Sequence, residues 1–221
     1  MKLGSIFLAA AIACCGLASA GAASAATFSV QTTPDQVANA TGLKGGSTVT
    51  FNDLAPGSFS SVSSGGVTIN SNTGSLYVTN QYQGAYNTFG NSLSNNGHAF
   101  SEMVFQFSQP ITGFGFFFGA SDVNWTLSAY DASNNLIDSL LISPVSDSNA
   151  GDFFGILGDG IVRATLVGQS SDFVFIDNFT TGGGGPISAV PEPATWAMMI
   201  LGFGLAGSAV RSTRRRQTAF A

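Results

Sequence analysis

Few residues of this chain could carry acid–base or nucleophilic chemistry. Between residues 27 and 190 there is one glutamate, Glu102, and one histidine, His98, which lies in the polar loop sequence NNGH. The chain has no G-x-S-x-G, H-E-x-x-H or Walker-type motif. Glycoside hydrolysis needs paired carboxylates, and the aspartates here are spread among turn sequences. We therefore predict a protein that is not an enzyme; a secreted hydrolase that uses Glu102 or His98 is the weaker alternative.

Asp177 is the candidate metal ligand. Strand alternation puts it on the same side of its run as Phe173, Phe175 and Phe179. A carboxylate among aromatic rings is costly unless it is paired, hydrogen-bonded or bound to a cation. A structural Ca²⁺ ion, which prefers oxygen ligands, is one solution. Hydrogen bonds from backbone amides, or a bulge that turns the side chain outward, are the others, and no D-x-D-x-D-G loop supports calcium.

Tyrosines among amide side chains form a second candidate site. The segment LYVTNQYQGAYNTFGN, residues 76–91, offers Tyr77, Tyr82 and Tyr86 among amide side chains. Sugar rings stack on exposed aromatic side chains, and Tyr82 and Tyr86 are the candidate glycan-binding residues. The alternative is a long loop whose tyrosines pack only against their neighbours. Trp125 shares one face of its run with Val123, Leu127 and Ala129, so we predict that it lies in the core.

The body that must position these residues is rich in strand formers. The chain is 44% hydrophobic and 9% charged, with 28 Gly and 19 Phe, and short apolar runs alternate with turn residues. The clear runs are Thr48–Phe51, Val67–Asn70, Leu76–Thr79, Met103–Phe107, Phe114–Phe118, Val123–Tyr130, Leu136–Ile142, Ile161–Val167 and Phe173–Phe179. This spacing predicts an all-β domain over residues 27–181, a two-sheet antiparallel sandwich for which we favour a jelly roll.

The charge of the body restricts its partners. Residues 27–190 carry two basic residues, Lys44 and Arg163, against eleven acidic ones, a balance of −9. Such a surface repels nucleic acid and anionic lipid, so we expect no nucleic-acid partner. Cations and neutral glycans fit better.

The N-terminus predicts export. Lys2 precedes an apolar stretch over residues 3–17, and A-S-A cleavage sequences follow at 18–20 and 23–25. This is the pattern of a secretory signal peptide, residues 1–25. Lipidation at Cys14 is the weaker alternative, since the preceding residues lack the usual leucine. Removal of the signal peptide also removes Cys14 and Cys15, the only cysteines.

The C-terminus predicts a short membrane segment. Residues 182–189 form a glycine-rich linker, and Ala194 to Val210 is an apolar stretch of seventeen residues. As a helix it would be roughly 25 Å long, slightly less than the hydrocarbon core of a bilayer. Four arginines follow it: Arg211, Arg214, Arg215 and Arg216. The positive-inside rule keeps them in the cytoplasm, with the body on the outer side.

The sequence VPEPATWAMM at 190–199, with the apolar segment and the arginines, closely resembles the PEP-CTERM sorting signal of Gram-negative bacteria. The resemblance covers residues 190–216 and implies processing by an exosortase, a membrane transpeptidase. Pro191 and Pro193 disfavour helix and keep this segment extended, as a protease-like cleft requires. Glu192 offers a carboxylate to a cationic subsite, and Trp196 lies where interfacial aromatic residues anchor.

A looser resemblance concerns the body, over about residues 100–180. The sequences ITGFGFFFGASDVNWTLSAYDASNNLIDSLLIS, FFGI and FVFIDNFT are similar to jelly-roll domains of PEP-CTERM proteins and to carbohydrate-binding modules. In such modules an aspartate of the last strand often binds a structural Ca²⁺, which is the role the resemblance implies for Asp177.

Together these features predict a protein exported across the inner membrane of a Gram-negative bacterium. It would be anchored transiently in the membrane and would end at the cell surface or outside the cell. The predicted role is structural or adhesive, in exopolysaccharide or biofilm. The second hypothesis is a glycan-binding module for the exopolysaccharide of the producing cell.

Replacing both Pro191 and Pro193 with alanine should stop processing of the tail while translocation across the inner membrane continues. The physical reason is that the extended, accessible segment is lost, whereas the signal peptide is unchanged. Mass spectrometry of the C-terminus of the protein recovered from its native host measures the outcome. Normal processing of the double variant would remove the sorting role of the motif.

Overall fold

A computed structural model describes residues 25–72, 74–96 and 102–183. Residues 1–24 of the predicted signal peptide, His98, most of the predicted linker, the sorting motif Pro191-Glu192-Pro193 with Trp196, the apolar segment and its arginines lie outside the described residues. Within the described ranges, no helix combines the length and the apolar character needed to span a bilayer.

The described chain is almost entirely β-structure. It contains twelve strands and one short helix. In chain order these are β1 (Ala26–Gln31), α1 (Val37–Thr41), β2 (Thr48–Val49), β3 (Gly57–Phe59), β4 (Ser61–Ser64), β5 (Val67–Ser71), β6 (Leu76–Thr79), β7 (Ser92–Ser94), β8 (Glu102–Gly119), β9 (Trp125–Tyr130), β10 (Leu136–Ile142), β11 (Asp152–Gly168) and β12 (Phe175–Thr181). All pairings between these strands are antiparallel.

Two long strands, β8 and β11, each serve both layers of a sandwich. The first half of β8 pairs with β5 and with the second half of β11. The second half of β8 pairs with β12 and with the first half of β11. The first layer therefore has the order β4-β5-β8-β11-β9-β10, and the second has the order β1-β11-β8-β12-β7-β6-β3, with β2 also on β12.

The bends in these strands close the sandwich. The β8–β11 register is interrupted between Leu157 and Ile161 and again between Ile161 and Arg163. Within β8 itself, the rings of Phe107 and Phe114 lie 5.5 Å apart, so the two halves of one strand face each other. Strands that switch sheets through bulges form such corners. The predicted antiparallel all-β sandwich is confirmed, although the runs Met103–Phe107 and Phe114–Phe118 are halves of a single strand.

Phe179 lies at the centre of the main core. Its ring stacks at 5.1 to 6.2 Å on four other fully or almost fully buried rings. They are Phe105, Phe107, Phe114 and Phe116. Trp125 is also fully buried, which confirms its predicted place in the core. The alternation of large apolar residues in β8 and β12 thus fills the space between the layers.

The sequence located some strands better than others. The bounds of β6 and β10 are those predicted, and the turn at 131–135 joins β9 to β10 with Asn134 at φ 63°. The elements α1, β1, β3, β4 and β7 were not predicted. Except for β1, they are short or rich in Ser and Gly, so their alternation is too weak to read. In β1, Phe28 and Val30 alternate with polar residues, a pattern that could have identified the strand. The jelly-roll assignment stays a prediction.

A smaller apolar cluster explains why α1 and β1 are needed. Phe117 and Phe153 point away from the main core and pack with Val37 and Leu43, while Phe28 of β1 stacks on Phe153. Without α1 and β1, these rings on the outer face of the second layer would be exposed to water.

Phe179→Ala should lower the free energy of unfolding by about 3–5 kcal/mol, because it opens a cavity among stacked rings. The control is Leu141→Ala on β10, where the side chain is 60% exposed and the expected loss is about 0.5 kcal/mol or less. Denaturant unfolding of the purified chain measures both. Similar losses for the two variants would contradict the central place of Phe179 in the core.

Candidate functional site

The segment that carries Tyr82 and Tyr86 is a compact loop, residues 80–91. The hydroxyl of Thr88 donates to the carbonyl oxygens of Tyr82, at 2.6 Å, and Ala85, at 2.9 Å. The Gly84 amide donates to the Thr88 carbonyl at 2.9 Å. These bonds inside the loop fix its shape, so both tyrosines are held on a defined scaffold.

Asn87 anchors this loop to the sandwich. It is buried with φ 59°, a conformation that asparagine tolerates better than most residues. Its Nδ2 donates to the Phe118 carbonyl at 2.8 Å and to Oδ2 of Asp152 at 3.0 Å, and its Oδ1 accepts the Gly151 amide at 2.8 Å. Burial raises the pKa of Asp152, but hydrogen bonds from Ser148, Gln31 and Asn87 outweigh burial, and its pKa is lowered. The carboxylate therefore stays ionised as an acceptor.

Gly119 allows the loop to approach the sheet. A Cβ atom at this position would lie 2.1 Å from the carbonyl oxygen of Tyr86, a contact that no side chain permits. Tyr86 itself adopts φ 51°. The backbone of the tyrosine loop thus rests directly on the end of β8 because residue 119 has no side chain.

Four aromatic rings form one wall of a cleft of about 290 Å³. The ring of Tyr82 lies 4.9 Å from that of Phe175, 5.8 Å from that of Tyr86 and 6.4 Å from that of Phe173. Phe173 is 37% exposed, and both tyrosines are half-buried. The rest of the lining is polar or small: Ala120, Asp122, Ser146, Asp147 and Asp172. We call this site the aromatic cleft.

Asp172 organises the floor of the aromatic cleft. Its Oδ2 accepts the Asp122 amide at 3.0 Å and the indole N–H of Trp125 at 3.0 Å, while its Oδ1 accepts the Phe173 amide at 2.9 Å. The buried carboxylate thereby fixes the backbone on both sides of the cleft. Sequence reasoning missed Asp172, because its partner Trp125 is 47 residues away along the chain.

The third side of the aromatic cleft is the loop 143–151. Asn149 donates to the Gly84 carbonyl at 2.7 Å and accepts the Asn87 amide at 3.0 Å, which ties this loop to the tyrosine loop. The Val145 amide donates to the Ser121 carbonyl at 2.9 Å, which ties it to the turn after β8. These bonds place Asp147 and Asp122 on one rim.

The structure shows both local packing and partial exposure of Tyr82 and Tyr86. The tyrosines do pack locally, on each other and on Phe175. They also remain half-exposed and line the aromatic cleft with Phe173. Their glycan-binding role stays a prediction, now with a defined site. The phenylalanines could have been found from the sequence, since Phe173 and Phe175 share one face at the start of the predicted run Phe173–Phe179.

Asp177 lies beneath the other end of the tyrosine loop. Its side chain is buried, Oδ2 accepts the Phe89 amide at 2.7 Å, and Oδ1 accepts the Asn178 amide at 2.6 Å. Burial raises the pKa of Asp177 to about 7, although the two amide bonds act in the opposite direction. The carboxylate therefore holds the loop to β12 at a cost in desolvation.

A bulge in β12 corrects the predicted face of Asp177. The register with β8 shifts between Asp177 and Thr180, and Asn178 has φ 45°. Phe173 and Phe175 contact each other in the aromatic cleft, whereas Phe179 lies in the main core. Phe179 is thus not on the face of Asp177, because the extra residue of the bulge reverses the alternation.

Calcium at Asp177 stays a prediction. Both carboxylate oxygens already accept amide protons, and the described residues contain no group of three or more His, Cys, Asp or Glu side chains that could hold a metal ion. Ca²⁺ takes six to eight oxygen ligands. The described surroundings of Asp177 do not fit that shell.

Glu102, one of the two residues of the hydrolase alternative, lies away from the aromatic cleft. Glu102 begins β8 and accepts a hydrogen bond from Nδ2 of Asn72. It is not among the residues that line the cleft, and His98 lies outside the described residues.

The exit of the chain toward the tail is also fixed. The Gly182 amide donates to the Gly113 carbonyl at 2.7 Å, and the Gly183 amide donates to the Lys44 carbonyl at 2.9 Å. The first two residues of the predicted linker are thus bonded to the domain, and residues 184–189 lie outside the described residues.

Asp177→Asn should flatten the pH dependence of stability between pH 5 and pH 7.5. The raised pKa means that the folded state binds a proton more tightly than the unfolded state, so stability falls as pH rises toward the folded pKa. This group should remove roughly 2 kcal/mol of unfolding free energy over that range. Denaturant unfolding at several pH values measures it, with the exposed Asp159→Asn as control. If Asp177→Asn leaves the pH dependence of stability unchanged, the raised pKa of the buried Asp177 carboxyl is contradicted.

Several solved structures are similar to the described domain. A family 6 carbohydrate-binding module matches with a TM-score of 0.37 and 17% identity, over 62% of this chain and 94% of that one. The enzymatically active domain of tailspike protein 4 from Bacteriophage CBA120 matches with a TM-score of 0.35 and 17% identity, over 53% of this chain and 19% of that one. TmCBM61, solved in complex with beta-1,4-galactotriose, matches with a TM-score of 0.29 and 10% identity, over 52% and 86%.

The C-terminal segment of the chain matches a known sorting motif. No curated protein matches the chain. Residues 189–216 match the PEP-CTERM protein-sorting motif, almost the range predicted from the Pro-Glu-Pro sequence, the apolar segment and the arginines. The chain therefore carries a PEP-CTERM sorting signal at its C-terminal end.

Proposed function

We propose that this protein is exported, processed by an exosortase through residues 190–216, and bound to extracellular glycan through the aromatic cleft. Glycan binding gives the predicted adhesive role in exopolysaccharide or biofilm a physical basis. The observation that carries the proposal is the half-exposed group of Tyr82, Tyr86 and Phe173 beside polar side chains. Such a wall can stack on sugar rings while the polar rim bonds to hydroxyl groups.

The order of the loops supports binding at this site. The tyrosine loop is closed by its own hydrogen bonds and is held by Asn87 and Asp177 at two separate points. A site held in this way loses little conformational entropy when a ligand binds. A loop whose tyrosines only completed the core would not need to leave them half-exposed at the edge of a cleft.

The sorting signal determines where this binding would act. The motif and the signal peptide are consistent with delivery to the outer side of the inner membrane, with transient anchoring before processing. The cleft would then meet the polymers of the cell envelope and the matrix. A purely structural role, in which the sandwich binds no glycan, is the second candidate.

Tyr82→Ala and Tyr86→Ala should each weaken binding to exopolysaccharide from the producing cell by about tenfold, because each removes a stacking surface. Affinity electrophoresis of the purified full-length chain in polymer-containing gels measures this. The matched control is Tyr77→Ala on β6, which does not line the cleft. Tyr82→Phe keeps the ring and should retain binding. Equal retention of all variants, or no retention of the wild-type chain, would leave the structural role.

A further inference from the structure

The polar rim of the aromatic cleft is acidic and has no basic residue. Three of the nine lining residues are aspartates: Asp122, Asp147 and Asp172. The two basic residues of the body lie elsewhere. Lys44 lines a separate groove beside α1, and the guanidinium of Arg163 lies 3.9 Å from the ring centre of Tyr130. A ligand in the cleft therefore meets aromatic faces and negative charge.

The three aspartates have different roles. Asp172 is buried, and its two oxygens accept three hydrogen bonds from the protein, so it is a structural acceptor. Asp122 and Asp147 are exposed. Within the described part of the chain, their carboxylates make no hydrogen bond or ion pair. Two free acceptors thus face the cleft, and neither is needed to hold the fold.

This combination favours a cationic sugar. An ammonium group gains charge-assisted hydrogen bonds to carboxylates and is also attracted to aromatic faces. An N-acetylated sugar can still stack on the rings but has lost its charge. A uronate is repelled by the carboxylates and by the acidic body, with its balance of −9 over residues 27–190.

We propose that the aromatic cleft selects glycans that carry amino sugars with a free ammonium group over their N-acetylated and acidic counterparts. Tyr82, Tyr86 and Phe173 supply the stacking wall, and Asp122 with Asp147 supplies the selection by charge. The inference rests on the proposed glycan-binding function and names its ligand class.

The test compares three oligosaccharides of equal length on the full-length chain by calorimetry at pH 5.5: glucosamine tetramer, N-acetylglucosamine tetramer and galacturonate tetramer. We expect the glucosamine tetramer to bind about tenfold more tightly than the acetylated one, the effect of one charge-assisted bond, and the galacturonate tetramer to show no binding. The preference should weaken as salt is raised, because the rim is exposed.

Variants separate the two parts of the site. Asp122→Asn and Asp147→Asn should each lower affinity for the glucosamine tetramer severalfold and leave affinity for the acetylated tetramer unchanged. Asp159→Asn makes the same change of charge at an exposed position outside the cleft and should alter neither. Tyr82→Ala should weaken the binding of both tetramers, because both stack on the aromatic wall.

The outcomes distinguish this inference from the function on which it rests. Equal affinity for the two tetramers, both weakened by Tyr82→Ala, would overturn the selection for ammonium and leave glycan binding in place. If Asp159→Asn lowers the affinity for the glucosamine tetramer as much as the cleft variants do, only the overall charge matters. That result would also overturn the selection for ammonium. Failure of all three oligosaccharides and of the exopolysaccharide to bind would overturn both.

Discussion

The structure depends on two strands that each belong to both layers of the sandwich. Because β8 and β11 bend and pair again on the far side, the phenylalanines of β8 face one another across the core, with Phe179 stacked between them. The layers cannot separate without unpairing the two longest strands. The ends of these strands also fix the aromatic cleft, since Gly119 at the end of β8 carries the tyrosine loop.

Buried hydrogen-bond acceptors hold the loops of the aromatic cleft on the sandwich. Asn87, Asp172 and Asp177 each use a short side chain to bind backbone amides or carbonyls, and each thereby connects a loop to the sandwich. A buried polar group is stabilising only when its bonds are complete, so each of these residues ties its own loop to a specific place. Asp177 does so at the greatest cost, because burial raises its pKa to about 7.

Acidic and basic residues are concentrated in different parts of the chain. The folded body is acidic and nearly free of basic residues, whereas the arginines are concentrated after the apolar segment of the sorting signal. The basic end suits retention in the cytoplasm during export, and the acidic body suits ligands that are neutral or cationic. The aromatic cleft shares the acidic character of the body, because the exposed carboxylates of Asp122 and Asp147 line it.

The sequence by itself determined the sorting signal and the class of fold. Both depend on patterns that are local in the chain: the ordered motif, apolar segment and arginines, and the period-two alternation that marked β6, β10 and the core position of Trp125. A loop was also one of the two sequence-based interpretations of the segment that contains Tyr82 and Tyr86. Only the tertiary structure decided that Asp172 meets Trp125, that a bulge at Asn178 puts Phe179 on the opposite face from Asp177, and that three loops share one cleft. These facts depend on contacts between distant segments and on one extra residue in a strand, and neither leaves a periodic trace in the sequence.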